Sequence, residues 1–151
     1  MKKILFLLLF LPLSVYANCN LNIIGFGGLN DAFDHKAFKE YAEKKNACYK
    51  AFKWQEKDLA LSYIKQLNNN FELYGYSKGA ETVAKLVKIN KVKPSYILTI
   101  GAFRTVDVDF TNYDIRFENY FDHSGVGQKS PGVFVKNINH FKMQQYINQF
   151  F

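Results

Sequence analysis

The sequence predicts an α/β fold: a three-layer αβα sandwich around a mostly parallel sheet of about six strands. Three observations carry this expectation. Short apolar runs alternate with segments of helical spacing, from "NLNIIGF" onward. The run "SYILTIGAF" is apolar on both faces, as in a central strand covered from both sides. Strands joined through helices run parallel, and right-handed crossovers place those helices on both faces of the sheet.

The elements follow in order. The chain has 151 residues, enough for one ordinary domain. It opens with "MKKILFLLLFLPLSVYA": two lysines, an apolar run, and a small-x-Ala pattern at Val15-Tyr16-Ala17. This is the pattern of a secretory signal peptide over 1–17, and the apolar run is short for a membrane span. The expectation is a single domain over 18–151, exported and either periplasmic or secreted. An uncleaved anchor is one alternative. A lipoprotein at Cys19 is another, but Asn18 before it suits that processing poorly.

"NLNIIGF" reads as the first strand and "GGLND" as a turn. "AFDHKAFKEYAEKKN" has helical spacing, with Phe33, Ala37, Phe38 and Tyr41 on one face. "ACYKAFKW" is the second strand. "EKDLALSYIKQLNNN" is the second helix, with Leu59, Tyr63, Ile64 and Leu67 expected on its buried side. "FELYGY" is the third strand, "KGAETVAKLVKIN" the third helix ahead of Pro94, and "SYILTIGAF" the fourth strand. Later, "YDIRFENYF" and "GVFVKNI" look like strands without a clear helix between them, so the direction of the last strand is open. "AFRTVDVDFTN" and "DHSGVGQKSP" read as loops, and "HFKMQQYINQFF" as a closing helix.

Composition narrows the partners. The formal net charge is +7, and loss of Lys2 and Lys3 with the leader lowers it to +5. The lysines are scattered as in "EKKNACYKAFKW" and "KLVKINKVK", so they form no single stripe. A soluble surface explains them. Peripheral contact with an anionic membrane surface is compatible with them, and nucleic acid is not expected because no reader motif accompanies the charge. The two cysteines, Cys19 and Cys48, form an even pair in a chain expected to meet an oxidising compartment. Each precedes a strand-like run, so parallel neighbouring strands would bring them within bridging distance. A reactive cysteine is the alternative, without a nearby histidine or metal-ligand spacing to support it.

The residues that carry chemistry begin with Gly75-Tyr76-Ser77-Lys78-Gly79, a G-x-S-x-G run after a strand and before a helix. In that setting it is a nucleophile elbow: the serine takes a strained backbone, the glycines permit close strand–helix approach, and Oγ is held out at the carboxyl end of the sheet. The following helix N-terminus favours developing negative charge there. A glycine-rich turn with a bystander serine is the competing reading.

A serine hydroxyl needs a base, and a carboxylate to orient that base. Of three histidines, His35 lies upstream in the first helix and reads as a surface residue. His140 fits the chain order serine, acid, histidine best, with His123 as the alternative. For the acid, Asp122 follows "IRFENYF" directly; Asp107 and Asp109 are the next candidates, and Asp114 reads as a solvated residue at the start of its strand. The oxyanion of an acyl-transfer intermediate needs backbone donors. The Lys78 N–H is one candidate; Phe26 and then Gly27, in "IIGFGGLND", are candidates for the other. The same glycines do not form a phosphate loop, since no Lys-Ser/Thr follows them and no G-x-G-x-x-G aligns. Neither a metal nor an organic cofactor is implied.

These residues resemble the α/β-hydrolase superfamily over nearly all of the expected mature chain. "GFGG" looks like its oxyanion loop, usually H-G-x-G, with Ile24 in the histidine position. "GYSKGA" resembles the elbow of lipases and cutinase-like esterases. "RFENYFD" is similar to a lipase run in which Arg116, Asn119 and Asp122 would occupy the family's positions and Asp122 would be the acid. The chain departs from the family in lacking its first two strands and any segment long enough for a helical lid, and in having Lys78 after the serine. The resemblance implies a minimal serine esterase acting on a small-molecule or lipid ester. A scaffold that keeps the fold and binds a partner without chemistry is the rival expectation.

Overall fold

A computed structural model describes residues 19–29, 31–68, 70–125 and 130–143, without the side chains of 31–34. The expected leader over 1–17 and most of the expected closing helix lie outside these residues. Among the described residues three helices alternate with the first four of six strands: β1 (Leu21–Phe26), α1 (Asp31–Lys44), β2 (Cys48–Phe52), α2 (Lys57–Ile64), β3 (Asn70–Tyr76), α3 (Lys78–Lys88), β4 (Tyr96–Ile100), β5 (Arg116–Phe121) and β6 (Val133–Phe134). The sheet order is β2-β1-β3-β4-β5-β6 and every pair is parallel.

The strands explain the layers. Successive side chains of a strand point to opposite faces. Ile24, Leu73 and Ile97 therefore enter one core with Ala60 and Ile64 of α2 and Val83, Leu86 and Val87 of α3. Their chain neighbours Ile23, Tyr74 and Leu98 enter the other, with Ala37, Phe38, Tyr41 and Ala42 of α1. β3 and β4 lie at the centre, and every residue of β4 is buried. That is why "YILTI" has no polar face.

The order places a switch point beside the site. From β1 the chain winds outward to β2, then returns past β1 to β3. Crossovers on either side of the β1–β3 pair thus lie on opposite faces, leaving a crevice at the carboxyl ends of these two strands, where open α/β sheets bind ligands. Those ends are Phe26 and Tyr76.

Two expectations change in detail. Leu59 is 60% exposed rather than buried. The helix is only eight residues long, and its buried stripe runs through Ala60 and Ile64, which turns Leu59 outward. The last strand, whose direction the sequence left open, is parallel to β5 but only two residues long, paired through Tyr120↔Val133 and Phe121↔Phe134. The segment after it forms a 3-10 turn over His140–Lys142.

β1 and β2 are parallel neighbours with Asn22 opposite Cys48. Their starting ends are joined by a Cys19–Cys48 disulfide, with a Cα–Cα distance of 5.7 Å across a sequence separation of 29. Closing a loop of that length stabilises the fold by roughly 3 kcal/mol in the chain-entropy account. Replacing both cysteines by serine is therefore expected to lower the unfolding free energy by about that amount. Urea unfolding of the oxidised and the doubly substituted protein checks this; equal midpoints and slopes would contradict it.

Candidate active site

The turn from β3 into α3 is made at Ser77, whose backbone sits at φ 52°, ψ −113°. This left-handed region is costly for a residue with a side chain, by about 1–3 kcal/mol. The surroundings hold it there. Ser77 N–H donates to the Ile100 carbonyl at 2.8 Å, and Ala80 N–H donates to the Ser77 carbonyl at 3.1 Å. The flanking glycines are steric requirements. A Cβ on Gly75 would lie 2.7 Å from the backbone of Ala80 and of Gly79, and one on Gly79 would lie 2.0 Å from the Phe26 carbonyl oxygen. The second contact clamps the elbow against the end of β1.

Ser77, His140 and Asp122 come together, although 63 and 18 residues separate the histidine from the other two. Ser77 Oγ lies 3.0 Å from His140 Nε2, within hydrogen-bond distance. His140 Nδ1 lies 2.9 Å from Asp122 Oδ2; an ionised carboxylate only accepts, so this nitrogen is the donor and a neutral ring leaves Nε2 to accept from Ser77 Oγ. The buried carboxylate's other oxygen, Oδ1, accepts from Ser124 N–H at 2.8 Å and from Ser124 O–H at 2.6 Å. Asp122 is 2% exposed, so these bonds replace the water a carboxylate would otherwise keep. The Ser124 hydroxyl also lies 3.2 Å from His140 Nδ1.

Ser77 as a whole is only 4% exposed, and its Oγ is within hydrogen-bond distance of the imidazole.

Around the oxyanion position, Lys78 is the first residue of α3 and its N–H has no acceptor inside the helix. Phe26 is the last residue of β1, in register with Phe52 on one side and Gly75 on the other. Gly27 N–H points to the Phe52 carbonyl at 3.4 Å, a long bond by backbone standards. The Lys78 side chain leans toward Glu81, at 3.7 Å, and toward the Trp54 ring, at 5.8 Å.

The other candidates lie elsewhere. Asp107 pairs with Lys88 at 2.5 Å, and this hydrogen bond holds its carboxyl below the usual range. Asp109 accepts from Thr111, whose side chain and backbone lower its pKa. Asp114 is exposed in the turn before β5. His123 is exposed and meets the Phe134 ring, while His35 is half-buried and bonded to the Tyr49 hydroxyl at 2.6 Å, not a plain surface residue. Arg116 is exposed at the far end of β5, over the Tyr96 ring. Asn119 is buried, accepts from the Thr99 hydroxyl at 3.0 Å and donates to the Pro131 carbonyl at 3.2 Å, tying β4, β5 and the approach to β6 together. A cavity of about 310 Å³ beside α3 and one of about 360 Å³ at the amino ends of the strands are lined by none of Ser77, His140 and Asp122.

The sequence reading missed Ser124, Tyr76, Phe103 and Gly101. Tyr76 and Phe103 each stack with the His140 ring, and Gly101 leaves room beside it. Only Ser124 had a local signal, an Asp-x-Ser spacing that suits a side-chain turn.

Fold and elbow together define an α/β-hydrolase-type scaffold. A crystal structure described as a candidate hydrolase of the alpha/beta superfamily, from Xanthomonas campestris pv. campestris, superposes with a TM-score of 0.60. The match covers 85% of this chain and 94% of that one, at 12% sequence identity, and so establishes a shared fold. No protein-family model and no curated protein matches the sequence.

Gly79→Ala tests the clamp. It is expected to destabilise the protein by about 1–3 kcal/mol, because the new methyl group meets backbone that cannot step aside. Lys85→Ala on the exposed side of the same helix is expected to change stability by less than about 0.5 kcal/mol. Denaturant unfolding of both variants is the check, and equal losses would contradict the steric account.

Proposed function

We propose that this chain is an exported serine hydrolase that cleaves carboxylic ester or thioester bonds through an acyl-enzyme. The observation that carries the reading is the continuous hydrogen-bond relay from Ser77 Oγ through His140 to the buried Asp122 carboxylate. The fold supports it, since the relay sits at the carboxyl ends of the strands beside the switch point.

In this reading Ser77 Oγ attacks the carbonyl carbon while His140 Nε2 takes its proton. Asp122 holds the imidazole in the Nδ1–H tautomer and stabilises the imidazolium that forms. The carbonyl oxygen becomes an oxyanion, held by Lys78 N–H and by an N–H of the Phe26–Gly27 segment. His140 then protonates the leaving alcohol or thiol as the tetrahedral intermediate collapses. Water, deprotonated by the same nitrogen, attacks the acyl-enzyme; as the acyl C–O bond to Ser77 breaks, His140 returns the proton to Oγ and the acid is released. The 4% exposure of Ser77 favours slim, accessible acyl groups. Export rests on the leader pattern and accords with the Cys19–Cys48 disulfide.

The same small exposure gives the rival, a non-catalytic binding scaffold, its one supporting observation. A fluorophosphonate probe separates the two: the folded protein is expected to label, and Ser77→Ala to abolish labelling. Absence of labelling in folded wild-type protein would favour the scaffold. Asp122→Asn is expected to lower kcat by roughly 10³–10⁴, since it removes the charge and disfavours the useful tautomer. A panel of p-nitrophenyl esters should show activity falling with acyl length; a preference for long chains would contradict the narrow-site reading.

A further inference from the structure

His140 comes from a part of the chain with little regular structure. β6 supplies two residues, and the histidine follows in a single 3-10 turn. Yet a base must be held to within a few tenths of an ångström of its reaction partner, since roughly 1 Å of misplacement costs about a hundredfold in rate. Something other than secondary structure has to fix the imidazole.

Besides Asp122 at one ring nitrogen, two aromatic rings lie against it. Tyr76 stacks on one face, with centroids 5.6 Å apart and planes 28° from parallel. Phe103 stacks with the imidazole as well, at 5.1 Å and 25°. The edge is fitted too: Gly101 has φ +61°, and a Cβ there would come within 3.0 Å of His140 Cε1. The Tyr76 hydroxyl, moreover, donates to the His140 backbone carbonyl. Tyr76 thus holds both the ring and the main chain of the histidine, and it is the residue directly before Ser77. Its own position is firm: it is buried, at the end of a central strand, in register with Ile100.

We propose that Tyr76, with Phe103, is a positioning residue that sets the distance between nucleophile and base. The claim rests on the hydrolase reading for its kinetic consequence, but its structural content stands apart from it. One dipeptide, Tyr76-Ser77, carries the nucleophile on one residue and the support of the base on the other. Displacement of either strand end therefore moves both reacting groups together. The ring faces also suit the imidazolium formed when Ser77 gives up its proton, because a cation over an aromatic face is favoured.

Two measurements test this. In wild-type protein carrying ¹³C-labelled histidine, the His140 ring protons should resonate upfield, under the currents of two stacked rings. Tyr76→Phe keeps the ring and should keep most of that shift; Tyr76→Leu and Phe103→Leu should each lose part of it. For kinetics, active sites are titrated with a fluorophosphonate, so that misfolded molecules do not count. Tyr76→Leu should then lower kcat per titrated site by roughly tenfold to a hundredfold, with KM within about twofold, and Tyr76→Phe should lower it less. A merely structural tyrosine would lower the titrated fraction and leave kcat per site unchanged. That result, or a His140 resonance at the ordinary position in wild-type protein, overturns the proposal. If wild-type protein neither labels nor hydrolyses esters, the hydrolase reading fails, and the resonance alone decides: an upfield shift lost in Tyr76→Leu still supports the clamp.

Discussion

Everything at the site depends on one backbone conformation, that of Ser77 at φ 52°. A strand that ends deep in a parallel sheet must turn into a helix within one residue if the helix is to pack back on the same strand. The turn is sterically costly, and the molecule offsets that cost with packing rather than with local propensity. The glycines on either side allow α3 to lie against β3 and the Phe26 carbonyl. The highly apolar inner face of α3, from Ala80 through Val87, anchors the helix once it is there. Burial of a Leu or Val side chain is worth about 1.5–3 kcal/mol, so a few such residues exceed the strain at one serine.

The same turn decides what the serine can meet. It brings Ser77 to the carboxyl end of β3, next to β4 and one strand away from β5, whose end carries Asp122. The carboxylate is buried, yet its oxygens accept from Ser124 and from the imidazole. A charge so enclosed interacts strongly with whatever faces it, because little water remains to screen it. In the proposed chemistry that strength is directed at the imidazolium. The ion pair of Lys45 with the buried Glu72, by contrast, lies at the amino ends of the strands. It belongs to the support of the sheet.

Much of this was legible in the sequence, for identifiable reasons. The strands β1, β3 and β4 are short apolar runs bounded by helical periodicity, and such local patterns survive without knowledge of tertiary contacts. Ser77 was legible because an elbow needs small residues at fixed spacing. Asp122 and His140 were legible because a parallel sheet brings successive strand ends to one rim, so chain order limits which residues can meet. The orientation of Leu59 was not, because an eight-residue helix buries a narrow stripe that docking selects. Nor was the clamp on His140: Tyr76 and His140 are 64 residues apart, and no spacing announces that a phenol will reach a distant carbonyl. The low exposure of Ser77 escaped as well, since it depends on residues distant in the chain.

The most direct measurement of the central claim is the protonation pattern of the His140 ring, read by ¹⁵N–¹H correlation in mildly alkaline solution. The account predicts a single tautomer, with the proton on Nδ1 facing Asp122 and a bare Nε2 facing Ser77. In Asp122→Asn that preference should weaken or reverse. A proton on Nε2 in the wild-type protein, or a free mixture of tautomers that ignores the Asp122 substitution, would contradict it, because the nitrogen beside the serine would then be unable to take its proton.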